Sequence, residues 1–88
     1  MKKKIWKYII GLYGETHEIP TGAKILSCDV VNGYICVYAL VDPENGLEER
    51  TFRIYLTGEE IDFNDGLERR FIGTCKEDGF VYHLFELI

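Results

Sequence analysis

The sequence predicts an all-β domain of about six mostly antiparallel strands, arranged as a small barrel or sandwich. Apolar and polar residues alternate along most of the chain, with glycine and asparagine turn signals between the alternating stretches. Almost no stretch shows the spacing of apolar residues that is typical of an amphipathic helix. The chain has 88 residues, so we expect a single β domain over residues 1–88.

The first predicted strand covers about residues 4–10, "KIWKYII". Trp6, Tyr8 and Ile10 alternate there with Lys7 and Ile9. The stretch that follows, "GLYGETHEIPTGA", is interrupted by glycines and a proline and is expected to be a loop.

A β-hairpin is predicted in "AKILSCDVVNGYICVYALV". Asn32-Gly33 suits its two-residue turn because both residues tolerate a positive φ. Counting outward from the turn, Val30 faces Ile35, and one face becomes wholly apolar. That face holds Leu26, Cys28, Val30, Ile35, Val37, Ala39 and Val41. The opposite face mixes polar and aromatic residues, which is typical either of a contact surface or of a solvent-exposed face.

Inward and outward positions also alternate in residues 50–57, "RTFRIYLT". Phe52, Ile54 and Leu56 are expected inside, and Thr51, Arg53, Tyr55 and Thr57 outside. A short strand is possible at residues 61–63 within the connection that follows.

The chain closes with a second predicted hairpin, "RRFIGTC" and "FVYHLFEL". With Asp78-Gly79 at the turn, Thr74 lies opposite His83, and Cys75 points to the other face. One face would then hold Phe71, Cys75, Phe80, Tyr82 and Leu84, and the other Ile72, Val81, Phe85 and Leu87. Since a two-layer domain covers one face of a hairpin, we expect the second face to meet another subunit in a homo-oligomer.

The charge distribution argues against a duplex nucleic acid as partner. Ten basic and fifteen acidic residues give a net charge of −5, and four of the basic residues are lysines among the first seven positions. The rest of the chain is more acidic still, whereas a duplex binder needs a basic field. The lysine cluster is either a solvated N-terminus that protects an edge strand or a short nucleic-acid arm.

The sequence also indicates an intracellular protein without a membrane segment. No stretch reaches the length of a membrane span, and Lys7 interrupts the apolar run that a signal peptide would need. The three cysteines form neither a disulfide framework nor a C-x-x-C pair. We therefore expect a cytoplasmic location.

No catalytic or metal site is expected. In the predicted hairpin register, Cys75 and His83 point apart, so they do not form a nucleophile–base pair. "GETHE" resembles a zinc-protease helix motif only superficially, because the second histidine is absent. We therefore predict a non-enzymatic protein with no cofactor and no bound metal.

Arginines and Thr-Gly pairs are the candidate ligand contacts. All four arginines of the acidic chain lie within residues 50–70, and arginine binds phosphate groups bidentately. Thr57-Gly58 and Gly73-Thr74 suit either a phosphate-binding turn or a β-bulge.

The order of short motifs resembles a family of small, uncharacterised β proteins encoded by phages and prophages. That pattern is W-K-Y, P-x-G-A, x-T-G, Y/F-x-G-T and V-x-H-x-F-E; here it is matched by "WKY", "PTGA", "LTG", "FIGT" and "VYHLFE". The resemblance spans nearly the whole chain and implies a viral accessory protein in the cytosol of the host cell. This chain has "LTG" where the family commonly has G-T-G, and Phe71 where it commonly has tyrosine.

Two functions follow from the residues and the resemblance together. The first is a homo-oligomeric sponge that sequesters a small nucleotide-derived signal of host antiviral defence, of the cyclic nucleotide or cyclic ADP-ribose type. The second is an acidic protein that binds and inhibits, or mimics, a host or phage protein. The residues expected to bind the nucleotide-like ligand are Trp6, Tyr8, Arg53, Tyr55, Thr57, Thr74 and His83.

Overall fold

The computed structural model describes residues 2–11 and 13–88. Their regular structure consists of seven β-strands. These are β1 (Lys4–Gly11), β2 (Gly14–Pro20), β3 (Lys24–Val31), β4 (Tyr34–Val41), β5 (Leu47–Leu56), β6 (Arg69–Glu77) and β7 (Phe80–Leu87). Within this described part of the chain, no helix is long and apolar enough to span a bilayer.

The strands form two antiparallel sheets. The first sheet has three strands in the order β1-β4-β3, and the second has four in the order β2-β5-β7-β6. The sheets approach each other where β3 lies near β6 and β1 near β2. The all-β prediction is therefore confirmed, and the two sheets correspond to its sandwich alternative.

Strand β2 corrects the prediction of a loop between residues 11 and 23. Gly14–Pro20 pairs with β5 along its whole length, and Thr16 and Thr51 join their hydroxyls at 2.9 Å across the pair. The stretch is polar and has little intrinsic strand preference, so its conformation comes from the backbone ladder with β5. Pro20 is tolerated because β2 is an edge strand and Pro20 is its last residue.

The first hairpin has the predicted turn. Asn32 and Gly33 have φ values of 52° and 79°, and Val30 lies opposite Ile35. Cys36 lies on the opposite face from Ile35, as predicted, but it is fully buried. Because β4 is the central strand of the first sheet, the small Cys36 side chain is flanked by Ile9 on β1 and by Asp29 on β3.

A β-bulge in β3 corrects the predicted position of Leu26. The register shifts between Ile25 and Ser27, so Ile25 lies opposite Ala39 and packs against the core. Leu26 is 42% exposed instead of contributing to the apolar face. One extra residue is enough to exchange the two faces, because side chains alternate along a strand.

The closing hairpin has the predicted turn and a bulge next to Gly73, which was one of the two alternatives for the Gly73-Thr74 segment. Asp78 and Gly79 both have positive φ, and Thr74 lies opposite His83. The register shifts between Phe71 and Gly73, so Phe71 lies opposite Phe85 rather than on the face of Cys75. The bulge interpretation of the Gly73-Thr74 segment is thereby confirmed.

The connection between β5 and β6 contains no strand, so the short one considered at residues 61–63 is not formed. Side chains hold turns there instead. Asp62 accepts a hydrogen bond from the backbone N–H of Asn64 at 2.8 Å, and Asp65 accepts one from that of Leu67 at 3.0 Å.

The hydrophobic core lies between the inner faces of the two sheets. Its buried members are Ile10, Ile19, Ala23, Ile35, Val37, Ala39, Val41, Phe52, Ile54 and Leu84. At one end, Arg50 forms an ion pair with Glu86, which is 4% exposed, and donates a 2.7 Å hydrogen bond to the carbonyl of Ala23. The positive charge of Arg50 on β5 and the negative charge of Glu86 on β7 therefore compensate each other at the inner face of the second sheet.

Strand β5 follows its predicted alternation only in part. Phe52 and Ile54 are buried as expected, but Leu56 is 38% exposed. Tyr55 lies on the outer face as predicted, but it is only 5% exposed. Leu56 is exposed because it lines an open pocket, and Tyr55 is buried because Arg69 covers it; both are described below.

Candidate ligand-binding site

The seven residues predicted to bind a ligand are divided between the two sheets. Trp6 and Tyr8 lie on β1, opposite Ala39 and Val37, and therefore on the inner face of the first sheet. Trp6 is 37% exposed, and Tyr8 packs against the core and against the ring of His17 at 5.7 Å. The other five lie on the second sheet or directly after β5.

Three of those five form one hydrogen-bonded group. His83 Nε2 lies 2.7 Å from the hydroxyl of Thr57, and His83 Nδ1 lies 3.0 Å from the hydroxyl of Thr74. A neutral imidazole satisfies this pattern by donating from one nitrogen and accepting at the other. The group thus ties the turn after β5 to β6 and β7, and its polar atoms are already engaged within the protein.

Tyr55 is covered by Arg69. The Arg69 guanidinium donates a 2.9 Å hydrogen bond to the Tyr55 hydroxyl and lies 5.1 Å from the centre of the Phe63 ring. It also forms an ion pair with Asp65. The hydrogen bond with Asp65 raises the pKa of Arg69, and the same bond lowers the pKa of Asp65. Tyr55 is therefore part of a closed internal arrangement rather than a free stacking surface.

Arg53 is the predicted residue that lines an open pocket. The pocket has a volume of about 360 Å³ and lies at the end of β5. Its lining residues are Tyr13, Arg53, Ile54, Leu56, Glu59, Phe80 and Tyr82. A volume of this size lies within the range of small-molecule sites, which are typically lined by aromatic residues and a few polar groups.

The pocket exists because β5 continues past the beginning of β2. The pairing of these strands ends at Gly14 and Arg53, and the carbonyl of Tyr13 then accepts a 3.0 Å hydrogen bond from the N–H of Ile54. Gly14 has a φ of +133°, and a Cβ at this position would lie 2.3 Å from the carbonyl oxygen of Phe52. A glycine is therefore required where the chain places Tyr13 at the rim.

The opposite wall comes from β7 and from the turn after β5. Phe80 and Tyr82 lie with ring centres 6.4 Å apart, and Phe80 is 56% exposed. Glu59 holds the turn: its carboxylate accepts a 3.0 Å hydrogen bond from the N–H of Leu56, and its own N–H donates to the carbonyl of Leu56 at 3.1 Å. Leu56 remains exposed because its side chain faces this open pocket.

The charges of the pocket suit a ligand with both an anionic and a hydrogen-bond-donating group. Arg53 borders the pocket from the outer face of β5, where it lies opposite Phe85. It forms no ion pair across the described ranges, although its charge, after the hydrogen bond from Arg69, is a further cause of the lowered pKa of Asp65. It is thus the positive charge that the edge of the pocket offers to an anion. Glu59 can accept hydrogen bonds from amino or hydroxyl groups. A second groove, of about 500 Å³, is lined by Lys2, Lys3, Lys4, Asp42, Pro43 and Glu44. It offers no aromatic ring and is less suited to a planar ligand.

Cys75 and His83, which both lie in the closing hairpin, do not form a reactive pair. Cys75 lies opposite Tyr82 and His83 opposite Thr74, so the two side chains point to different faces of the sheet. Burial, together with the neighbouring Cys28, raises the pKa of Cys75 to about 12. Cys75 is 8% exposed, as expected of a packed thiol.

The "GETHE" segment lies on β2 and not in a loop. His17 Nε2 approaches a carboxylate oxygen of Glu15 at 3.0 Å, but the two do not have the geometry of a hydrogen bond. Within residues 2–11 and 13–88, no group of three or more potential ligands is placed to hold a metal ion.

Comparison with known proteins gives a family without an assigned activity. Residues 1–88 match the family described as "Domain of unknown function (DUF7352)", and the chain belongs to this family. No curated protein and no solved structure shows significant similarity to it.

Proposed function

We propose that this member of the DUF7352 family is a non-enzymatic binding protein that takes a small, planar, anionic ligand into the pocket beside Arg53. The ligand class is a nucleotide-derived signal of the cyclic nucleotide or cyclic ADP-ribose type. The biological role is that of a phage-type accessory protein, which sequesters such a signal of host antiviral defence in the host cytosol.

One observation supports this proposal above the others: an exposed arginine that forms no ion pair in the described structure borders a pocket that three aromatic residues also line. Tyr13, Phe80 and Tyr82 offer ring faces for a nucleobase. Arg53 supplies a bidentate contact for a phosphate group. Glu59 provides the acceptor for an exocyclic amino group or a ribose hydroxyl.

Isothermal titration against a panel of cyclic dinucleotides and cyclic ADP-ribose isomers tests the proposal. We expect at least one member to bind, and Arg53→Ala to weaken it about tenfold or more, because a charge-assisted contact contributes about 1.5–3 kcal/mol. Arg70→Ala is the matched control, since Arg70 is also an exposed arginine but lines a different groove. Absence of binding across the panel, or equal losses in the two variants, would contradict the proposal.

A second candidate function rests on a different surface. Phe63, Phe71 and Phe85, here called the aromatic patch, lie on the outer side of the second sheet, and Phe63 and Phe71 are 68% and 56% exposed. An exposed aromatic patch on an acidic protein also suits an inhibitor or mimic that binds a host or phage protein. Within the first proposal, the same patch is the surface through which the sponge forms a homo-oligomer.

A further inference from the structure

Two cysteines from different sheets meet inside the sandwich. Cys28 lies on β3 of the first sheet and Cys75 on β6 of the second, 47 residues later. Their Sγ atoms are 3.0 Å apart. This contact lies at the seam where β3 and β6 bring the two sheets together.

The seam is built to let the two sulfurs approach. Gly73 lies on β6 beside the pair, and a Cβ at this position would lie 2.8 Å from the Sγ of Cys28. Any side chain here would displace the Cys28 thiol from its present place. The glycine that follows the bulge in β6 therefore opens the space through which Cys28 reaches Cys75.

The two thiols differ in their access to solvent. Cys28 is partly exposed, whereas Cys75 is 8% exposed and has a pKa raised to about 12 by burial and by Cys28. Because the thiolate is the reactive form, an oxidant from solvent reacts first at Cys28. The Cys75 sulfur, 3.0 Å away, is then the thiol nearest to the oxidised Cys28.

We propose that Cys28 and Cys75 form an oxidation site, which hydrogen peroxide converts into a disulfide between the two sheets. In the first step the Cys28 sulfur attacks one peroxide oxygen, the O–O bond breaks, and water leaves after protonation. In the second step the Cys75 sulfur attacks the sulfenic sulfur of Cys28 and the S–O bond breaks. The hydroxyl leaves with the Cys75 proton as a second water, so two thiols and one peroxide give one disulfide and two waters.

The reaction needs little rearrangement of the fold. The sulfurs must move from 3.0 Å to the ~2.05 Å of a disulfide bond. The product would link two edge strands of different sheets that share no backbone ladder. Because the bond closes a long loop, it should stabilise the folded protein against unfolding.

The test is mild oxidation of the folded protein with hydrogen peroxide, followed by intact mass and by mapping of disulfide-linked peptides. We expect a loss of two hydrogens per chain, a Cys28–Cys75 linked peptide, and a rise in Tm on the order of 10 °C, all reversed by a dithiol reductant. The peptide map on the unaltered protein is decisive even if a variant folds poorly.

Two variants sharpen the result. Cys28→Ala should abolish the loss of two hydrogens, whereas Cys36→Ala should retain it, because Cys36 is buried on the other face of the first sheet. Addition of oxygen atoms without a linked peptide, a bridge between separate chains, or a bridge that includes Cys36 would overturn the proposal.

Discussion

Gly14 is the residue on which the rim of the candidate pocket depends. Its φ of +133° is rarely adopted by other residues, and a Cβ here would lie 2.3 Å from the backbone oxygen of Phe52. We expect Gly14→Ala to lower the free energy of unfolding by about 3 kcal/mol or more, from backbone strain and the steric clash. Urea denaturation measures this change.

Gly46→Ala is the matched control for Gly14→Ala. Gly46 has no positive φ, and a Cβ there would meet nothing within 4 Å. Its cost should remain within about 0.5 kcal/mol. Equal losses in the two variants would mean that the close approach of Gly14 to β5 does not constrain the fold.

Asp65 and Arg69 provide a pH-dependent contribution to stability. The hydrogen bond with Arg69 holds the pKa of Asp65 below its ordinary value in the folded protein. A lowered folded pKa means that the stabilisation is present above about pH 4 and is lost as the pH falls through the folded value. Protonation would also release the guanidinium that covers Tyr55.

The measurement is Tm as a function of pH for the unaltered protein and for Asp65→Asn. We expect the unaltered protein to be more stable near pH 7, with the difference shrinking as the pH falls below about 4. Asp62→Asn serves as the control, because Asp62 lies in the same connection but forms no ion pair within the described ranges. A difference that is independent of pH would contradict this assignment.

At the level of single residues, the sequence predicted one of the residues that line the pocket. Arg53 could be chosen from its charge and its place in an alternating strand. Tyr13 could not, because its position depends on the long-range hydrogen bond between its carbonyl and the N–H of Ile54 on β5. Tyr55 was placed on the correct face, but its cover by Arg69 comes from a connection without regular structure.

At the level of elements, local signals predicted the hairpins, whereas the departures came from contacts that the sequence does not encode locally. Asn32-Gly33 and Asp78-Gly79 specify their turns through residues that tolerate positive φ. The bulge at Leu26 has no such signal, whereas the glycine at position 73 indicated the bulge at Ile72; each bulge exchanges the faces of the residues beyond it. Strand β2 was missed because its residues pair with β5 without an apolar pattern of their own.

The first hairpin offers a direct test of this turn argument. Asn32 has a φ of 52°, a conformation that costs an ordinary side chain about 1–2 kcal/mol relative to its preferred regions. We expect Asn32→Ala to reduce the free energy of unfolding by about 1 kcal/mol and Asn32→Gly to leave it nearly unchanged. Chemical denaturation measures the free energy of unfolding of both variants. An Asn32→Ala protein as stable as the unaltered one would contradict the positive φ of Asn32 in this turn.

At the level of the whole molecule, the arrangement of the two sheets lay beyond sequence reasoning. The strand order β2-β5-β7-β6 and the seam between β3 and β6 join segments that are distant in the chain. The sequence indicated that the closing hairpin is apolar on both faces, and in the structure the aromatic patch leaves part of this apolar surface exposed. Phe71 reached that surface through the bulge in β6, not through the predicted register.

The aromatic patch leads to a prediction about self-association. Phe71 is 56% exposed and packs edge-on against Phe85 at 5.3 Å, so it presents a large apolar area to solvent on a small domain. We expect the protein to form a symmetric homo-oligomer through this surface, most simply a dimer. Phe71→Lys should dissociate it, because the substitution would bury an unpaired charge in the interface.

Light scattering at micromolar concentration measures the mass of each variant. Tyr34→Lys is the matched control, since Tyr34 is a 51% exposed aromatic residue at the tip of the first hairpin and away from the patch. It should leave the oligomer intact, and neither substitution should lower Tm through loss of core packing. A mass of 10.2 kDa for the unaltered protein, which corresponds to one chain, would refute the oligomer. The pocket beside Arg53 would then have to bind its ligand within a single chain, as its lining by residues of one chain allows.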